Sequence, residues 1–372
     1  MKVLITGANG FVGKNLIAHL SERSDIEVVA FTRDNSIAQL PALVAEVDFV
    51  FHLAGVNRPQ SSDEFKVGNT DLTLALCEAI KESGKLTPVL YTSSTQAGRD
   101  NPYGVSKLAA EHALHDLQAN YGARVHVLRL PNVFGKWARP DYNSAVATFC
   151  HNITRGLPIQ VNDRQAMVSL VYIDDVVDCF IQIMDSSLHH GSEAQVSPVY
   201  SISVGELADQ LYAFRDSRDT LISEAVGTGL VRALYSTYVS YLPVEQFTYD
   251  VPKYGDPRGV FVEMLKTRDS GQFSYFTAHP GVTRGGHYHH SKTEKFLVIK
   301  GKACFRFRHI VSGEFHELFT QGEQPRVVET VPGWTHDITN VGEDEMIVML
   351  WANEIFDRER PDTFVMPVAT QA

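Results

Sequence analysis

Residues 2–13 read KVLITGANGFVG. Lys2-Val3-Leu4-Ile5 has the apolar character of a buried strand, and it runs straight into Gly7-x-x-Gly10-x-x-Gly13. Glycines at this spacing permit a tight turn, a close backbone approach to a ligand, and close packing of the next helix on the strand. The helix predicted over residues 10–21 then aims its N-terminal N–H groups at that ligand and favours negative charge there, such as a pyrophosphate. Three glycines alone are a weak signal. Between a strand and a helix they predict a dinucleotide-binding turn built from Gly7, Gly10, Phe11, Val12 and Gly13.

The pattern repeats outward from this turn. Residues 27–31, 49–53, 89–91 and 125–128 are further β-rich runs, and residues 69–83 and 103–120 carry helical spacing between them. Such alternation predicts an α/β, doubly wound parallel sheet with helices on both faces. From about 145 to 243 the texture is mostly helical, with a capping box at Ser203 and Glu206 ahead of Leu207, Leu211 and Phe214. Past residue 255, β runs at 296–299, 304–307 and 346–351 alternate with Gly-rich turns, which predicts an all-β sandwich or barrel. The expected domains are 1–243 and 244–372, with residues 244–260 as the crossover.

Two domains also suit 372 residues and 41.4 kDa. The net charge is −11, and neither expected domain is basic, so nucleic-acid binding is disfavoured. No apolar run approaches the ~18 residues that suggest a membrane span. The N-terminus lacks an apolar signal core, so a cytoplasmic location is expected. Cys77, Cys150, Cys179 and Cys304 form no CxxC pair and are expected to be reduced thiols.

The second predicted strand leads into Thr32-Arg33-Asp34. An acid at its end takes the 2′-OH of NAD, whereas Arg accommodates the 2′-phosphate of NADP, and Arg33 tips the expectation toward NADPH. Tyr103 and Lys107, at i and i+4, share one helix face, and Ser94 ends the fourth strand. A phenol of reference pKa about 10 needs help to act near neutrality. A neighbouring ammonium lowers that pKa, and a Ser hydroxyl bonds the same carbonyl oxygen that the phenol protonates after hydride arrives.

At this point the chain resembles the extended short-chain dehydrogenase/reductases. TGANGFVG (6–13), Asp48 with HLAG (52–55), Asn69, the serines at 93–94, YGVSK (103–107) and RLPNVFG (129–135) follow that family's order. The resemblance implies a Rossmann-like fold with Tyr103 as catalytic acid and Lys107 also binding the nicotinamide ribose. Ser94 matches the carbonyl-polarising position, with Ser93 the adjacent alternative. Leu53, Ala54 and Gly55 would line the cofactor cleft, with Pro131 near the nicotinamide. Relatives acting on UDP-sugars often carry an Arg where Val168 or Ser169 stands here. Arg164, with Asn132, is the candidate for substrate contact.

The second β-rich region contains GVTRGGHYHHSKTEKFLVIKG (281–301). His287 and His289 are two apart and share a strand face, Glu294 follows, and His336 lies in PGWTHDITN. Three imidazoles and a carboxylate suit a first-row divalent ion such as zinc, iron, manganese or nickel. This stretch resembles the cupins, which implies a jelly-roll barrel with His287, His289, Glu294 and His336 as metal ligands, zinc first among the candidates. His290 is an extra neighbour, open as a replacement ligand, as an acid or base, or as a solvated side chain.

The whole chain resembles the bifunctional reductase/epimerases of bacterial capsule and O-antigen synthesis, the CapF/WbjC family. HLAGVNRP (52–59), PNVFGKW (131–137), LYSTYVSYLP (234–243) and KFLVIKGKACFRFRH (295–309) carry that likeness. It implies C3 epimerisation of a UDP-2-acetamido-2,6-dideoxy-4-hexulose by the cupin, C4 reduction with NADPH by the other domain, and a homodimer. Two alternatives stand beside it. One is a nucleotide-sugar reductase carrying a different metal-dependent cupin, an isomerase or dioxygenase. The other is a non-catalytic NADP sensor.

Overall fold

The computed structural model describes residues 1–59, 61, 63–185, 195–256, 259–262, 265–267, 271–354 and 359–368. By packing it divides into two units. The first is Met1–Ser144 with Val168–Ser201, and the second is Ala145–Met167 with Ile202–Ala372.

The first unit is built on β1 (Lys2–Thr6), β2 (Glu27–Phe31), β3 (Phe49–His52), β4 (Val89–Ser94) and β5 (Val125–Leu130). They form a parallel sheet in the order β2-β1-β3-β4-β5. The connections are α1 (Phe11–Leu20), α2 (Leu40–Glu46), the single turn α3 (Asp63–Phe65), α4 (Leu72–Ser83) and α5 (Pro102–Tyr121). Leu4, Val50, Val89 and Tyr91 from the sheet meet Leu76, Ile80 and Leu114 from the helices in one buried core. Apolar residues on both faces of a strand are what a parallel sheet covered on two sides requires. The chain passes from β2 on one side of β1 to β3 on the other. This makes the carboxyl ends of β1 and β3 a topological switch point, where ligands bind in open α/β sheets. Asp48 serves that frame: it accepts a hydrogen bond from the Lys2 backbone N–H (2.9 Å) and pairs with Lys85 (3.1 Å).

The second unit carries two antiparallel sheets of five strands. In one the order is Thr248–Asp250, Arg326–Glu329, Glu294–Lys300, Met346–Ala352 and Gln272–Ala278. In the other it is Phe315–Gln321, Lys302–His309, Trp334–Asn340, Thr283–Tyr288 and Phe364–Val365. The helices Ala145–Thr154, Val204–Thr220 and Gly229–Ser240 belong to this unit. The capping box at Ser203 and Glu206 is formed, and Leu207, Leu211 and Phe214 are buried behind it.

These packing units do not coincide with a cut at residue 243, and a buried ionic cluster is one reason. The Glu329 carboxylate is wholly buried and is met by Lys295 of its own sheet. It also accepts hydrogen bonds from Arg218 (2.6 Å) and the Tyr235 hydroxyl (2.7 Å), both on helices that precede residue 243. Tyr235 and Tyr238 are thus core residues of the second unit. A buried carboxylate deprived of such partners is strongly destabilising. Among the described residues no helix is long and apolar enough to cross a membrane, and all four cysteines are free thiols.

Candidate active site

In the first unit, β1 delivers the chain into Gly7, whose φ is +71°. A Cβ there would lie 2.7 Å from the Ala54 backbone nitrogen, so only glycine lets this turn rest on the Leu53–Ala54 segment leaving β3. Gly10 caps α1 without a side chain and therefore does not occupy the first-turn N–H groups. Gly13 packs α1 onto the turn, with a Cβ position only 2.4 Å from the Gly7 carbonyl oxygen. A helix start with uncapped N–H groups beside a bare backbone turn fits a pyrophosphate. Arg33 is exposed in the turn after β2. The neighbouring Asp34 carboxylate accepts from the Thr32 hydroxyl (3.3 Å).

The second group of residues comes from β4 and α5. Asn101 caps α5 by accepting the Gly104 N–H (2.8 Å), and Pro102 supplies a preset first turn. Gly104 fits there because a Cβ would meet the Gln96 carbonyl oxygen at 2.4 Å. This close approach holds Tyr103 beside the end of β4, with its phenol next to the Ser94 hydroxyl. One turn on, Lys107 is buried. Its Nζ donates to the Thr92 carbonyl (2.9 Å) and lies 4.8 Å from the centre of the Tyr91 ring. Gly55 passes over this ammonium, 3.1 Å from Nζ to its would-be Cβ. Asn69 ties the assembly together, donating to the Val56 carbonyl (3.0 Å) and the Ser106 hydroxyl (2.9 Å).

The electrostatics differ from the sequence expectation in one respect. Burial raises the Tyr103 pKa and the neighbouring Ser94 hydroxyl opposes it, with a net rise. Lys107 is not among the groups that shift it. The phenol is therefore kept protonated, the form that donates. Burial pushes Lys107 down to about 8, against the pull of Glu111.

Glu111 escaped the sequence reading. It lies one further turn along α5, accepts a hydrogen bond from Ser93, and holds Arg129 through two nitrogens at 2.9 and 2.6 Å. The spacing 103, 107, 111 was the available signal. The structure thereby separates the two serines, with Ser94 on Tyr103 and Ser93 on Glu111. Pro131 follows β5, and the Asn132 amide donates to the Ser169 carbonyl (3.1 Å). Arg164 belongs to the second unit, where it forms an exposed pair with Asp209 (2.6 Å).

In the second unit, donor atoms of His287, His289, Glu294 and His336 all lie within 4.8 Å of one another. His287 stands opposite His336 on the neighbouring strand, after a β-bulge at Gly285. The His289 Nε2 is 3.1 Å from Glu294 Oε2, and the His336 Nε2 is 3.5 Å from the same oxygen. Buried His336 Nε2 has no hydrogen-bond partner of normal geometry. Burial, then the neighbouring histidines, push His287 down to about 3, so it is a neutral ring with a lone pair to offer. Three imidazoles converging on a carboxylate, one with an unsatisfied nitrogen, fit a divalent ion. Lys292, missed by sequence reading, reaches the other Glu294 oxygen at 3.0 Å. His290 points away from the four, against the Tyr288 and Phe364 rings.

Comparison with known proteins matches two separate parts of the chain. The profile of the NAD dependent epimerase/dehydratase family matches residues 3–196. That of the polysaccharide biosynthesis C-terminal domain matches residues 254–364. A UDP-2-acetamido-2,6-beta-L-arabino-hexul-4-ose reductase of Pseudomonas aeruginosa (strain PA103) is 65% identical over 372 residues, 100% of both chains. The crystal structure of the capsular polysaccharide assembling protein CapF from Staphylococcus aureus aligns over 99% of this chain and 100% of that one, with 41% identity and a TM-score of 0.69. A UDP-glucuronic acid 4-epimerase from Bacillus cereus, solved with NAD, covers 59% of this chain and 85% of its own. At 23% identity and a TM-score of 0.52, it shares the fold of that part.

Proposed function

Because this chain belongs to the NAD dependent epimerase/dehydratase family, we propose that it is a bifunctional nucleotide-sugar enzyme of polysaccharide biosynthesis. Residues 1–243 carry a reductase and residues 244–372 a cupin epimerase. The substrate is a UDP-2-acetamido-2,6-dideoxy-4-hexulose, and the product is UDP-2-acetamido-2,6-dideoxy-L-talose, a precursor of UDP-N-acetyl-L-fucosamine. The observation that carries the reading is the Ser94–Tyr103 pair at the end of β4, with Lys107 one turn further along the helix. The 65% identity to a reductase of a UDP-linked hexul-4-ose supports the choice of substrate. The reading also takes the enzyme to be a cytoplasmic homodimer.

Chemistry sets the order of the two steps. A C4 ketone acidifies the C3–H, because its removal gives an enolate. Reduction destroys that ketone, so epimerisation comes first. In the reductase, NADPH supplies hydride to C4 when bound, its pyrophosphate on the Gly7–Gly13 turn and its 2′-phosphate beside Arg33. Tyr103 then gives its proton to the C4 oxygen while Ser94 hydrogen-bonds the same oxygen. Lys107 holds the nicotinamide ribose. Leu53, Ala54, Gly55 and Pro131 line the cofactor cleft, and Asn132 is the candidate for substrate contact.

In the cupin, His287, His289, Glu294 and His336 would hold a divalent ion, with zinc the leading choice. Bound there, the ion supplies a Lewis acid for enolate oxygen charge. The chain's own contribution is four donors pre-set on adjoining strands, with Lys292 steadying the free oxygen of Glu294.

The reading is tested by mixing enzyme, the 4-keto UDP-sugar and NADPH. One NADPH consumed per sugar, with an L-talo product by NMR, is the expected result. Oxygen uptake would instead favour a dioxygenase cupin. A pH dependence follows from Lys107. Its ammonium is complete well below pH 8 and is lost as pH rises through about 8. Values of kcat/KM for NADPH are expected to fall above that point, by about tenfold per pH unit. A flat profile from about pH 7 to 10 would remove Lys107 from cofactor binding.

A further inference from the structure

The segment that closes the described chain crosses the four-donor centre. Phe364 and Val365 pair with Tyr288 and His287, so this short strand flanks the first histidine. The Met366 N–H donates to the Gly286 carbonyl (2.8 Å), and the Thr335 hydroxyl, next to His336, donates to the Met366 carbonyl. Ahead of these residues stands Asp362. Its Oδ1 accepts the His290 N–H at 2.8 Å. Its Oδ2 accepts the N–H groups of Ser291 (2.7 Å) and Lys292 (2.6 Å) and the Ser291 hydroxyl (3.0 Å).

An ionised carboxylate has about four acceptor sites, and four hydrogen bonds reach this one, three of them on Oδ2. Three successive backbone N–H groups converging on one anion form a nest, and the chain supplies the anion itself. The Asp362 main-chain carbonyl adds a further bond, to His289 Nδ1. A carbonyl only accepts, so Nδ1 carries the proton and Nε2 is the nitrogen turned to Glu294. Fixing one ring nitrogen in this way sets the tautomer and orientation of a ligating imidazole.

We infer that Asp362 is a positioning residue for the metal centre: its carboxylate clamps the His290–Lys292 backbone and its carbonyl orients His289 toward Glu294 and His336. The inference rests on the metal reading proposed above. It assigns Asp362 no contact with metal or substrate, and its effect passes through His289 and the loop.

The test uses the full-length chain, stripped of metal and titrated with zinc against a chromophoric chelator. Circular dichroism monitors the fold. Asp362→Ala is expected to fold and to bind zinc about 10- to 100-fold more weakly, the range for outer-shell partners. Asp362→Asn keeps one accepting oxygen and is expected to fall between the two. Cobalt(II) bound to either variant should give a visible absorption band altered in position or intensity, since His289 is no longer held in one orientation. Zinc affinity within about twofold of the parent in the Ala variant would overturn the inference, below the 10-fold floor for outer-shell changes. If that variant does not fold, the Asn variant decides, with unchanged affinity and cobalt spectrum overturning it. A parent chain that takes up no zinc or cobalt would overturn the metal reading itself, an outcome distinct from a parent that binds and variants that match it.

Discussion

Replacing Tyr103 by Phe is expected to lower NADPH oxidation by the 4-keto UDP-sugar about 100- to 10,000-fold, the usual contribution of a positioned acid. The substitution removes one oxygen from a half-buried ring. Its remaining contact, 5.8 Å from the Phe65 ring centre, and the α5 cap at Asn101 are untouched. Binding of NADPH, measured by fluorescence, is therefore expected to change little. Ser94 keeps its hydrogen bond from the Gln96 N–H (3.1 Å). A loss of turnover with retained cofactor binding assigns the phenol to proton donation. Unchanged turnover would remove the reductase mechanism.

The second large effect is expected at His336. Its ring is buried among His287, His289, Phe296 and Phe307, with centroids 4.8 to 6.3 Å away. His336→Ala takes away one of four donors. Zinc affinity should drop by more than the ~100-fold typical of outer-shell changes. Elemental analysis of the purified chain should find little metal, and C3 epimerisation should be lost with it. Reduction of a sugar supplied already epimerised should persist, because Ser94, Tyr103 and Lys107 lie in the other packing unit. Full metal retention would take His336 out of the centre. Equal loss of both activities would mean that the two sites are not separable in this way.

Much of the first site was legible because its chemistry is local. Gly7–Gly13 and Tyr103–Lys107 each sit on one turn, and strand ends marked by Thr6, His52 and Ser94 bring them to one edge of a parallel sheet. Glu111 was missed although it continues the same helix face, since a carboxylate two turns past a Tyr is unremarkable until β4 and β5 bring Ser93 and Arg129 to it. The four residues His287, His289, Glu294 and His336, which the structure brings together, were expected from the cupin resemblance of residues 281–301 and of the stretch around His336. Asp362 was not, because it meets His290 across 72 residues of chain and lies in a segment without periodicity. The allegiance of helix Gly229–Ser240 was equally hidden. Its aromatic face needs a buried surface, but periodicity does not say which. Contacts such as Tyr235–Glu329 decide it, and a fragment cut at 244 would lose two partners of a buried carboxylate. On the proposed reading, the net charge of −11 is answered locally, by the N-terminus of α1 and by Arg33.

The most direct test of the two-step account leaves NADPH out. The full-length Tyr103→Phe chain is incubated in deuterium oxide with the UDP-2-acetamido-2,6-dideoxy-4-hexulose, and the sugar is followed by proton NMR. The account expects the C3 proton signal to disappear as deuterium enters and the C3 epimer to appear, with the C4 ketone intact. A metal-loaded, folded chain that leaves the C3 proton in place would contradict it.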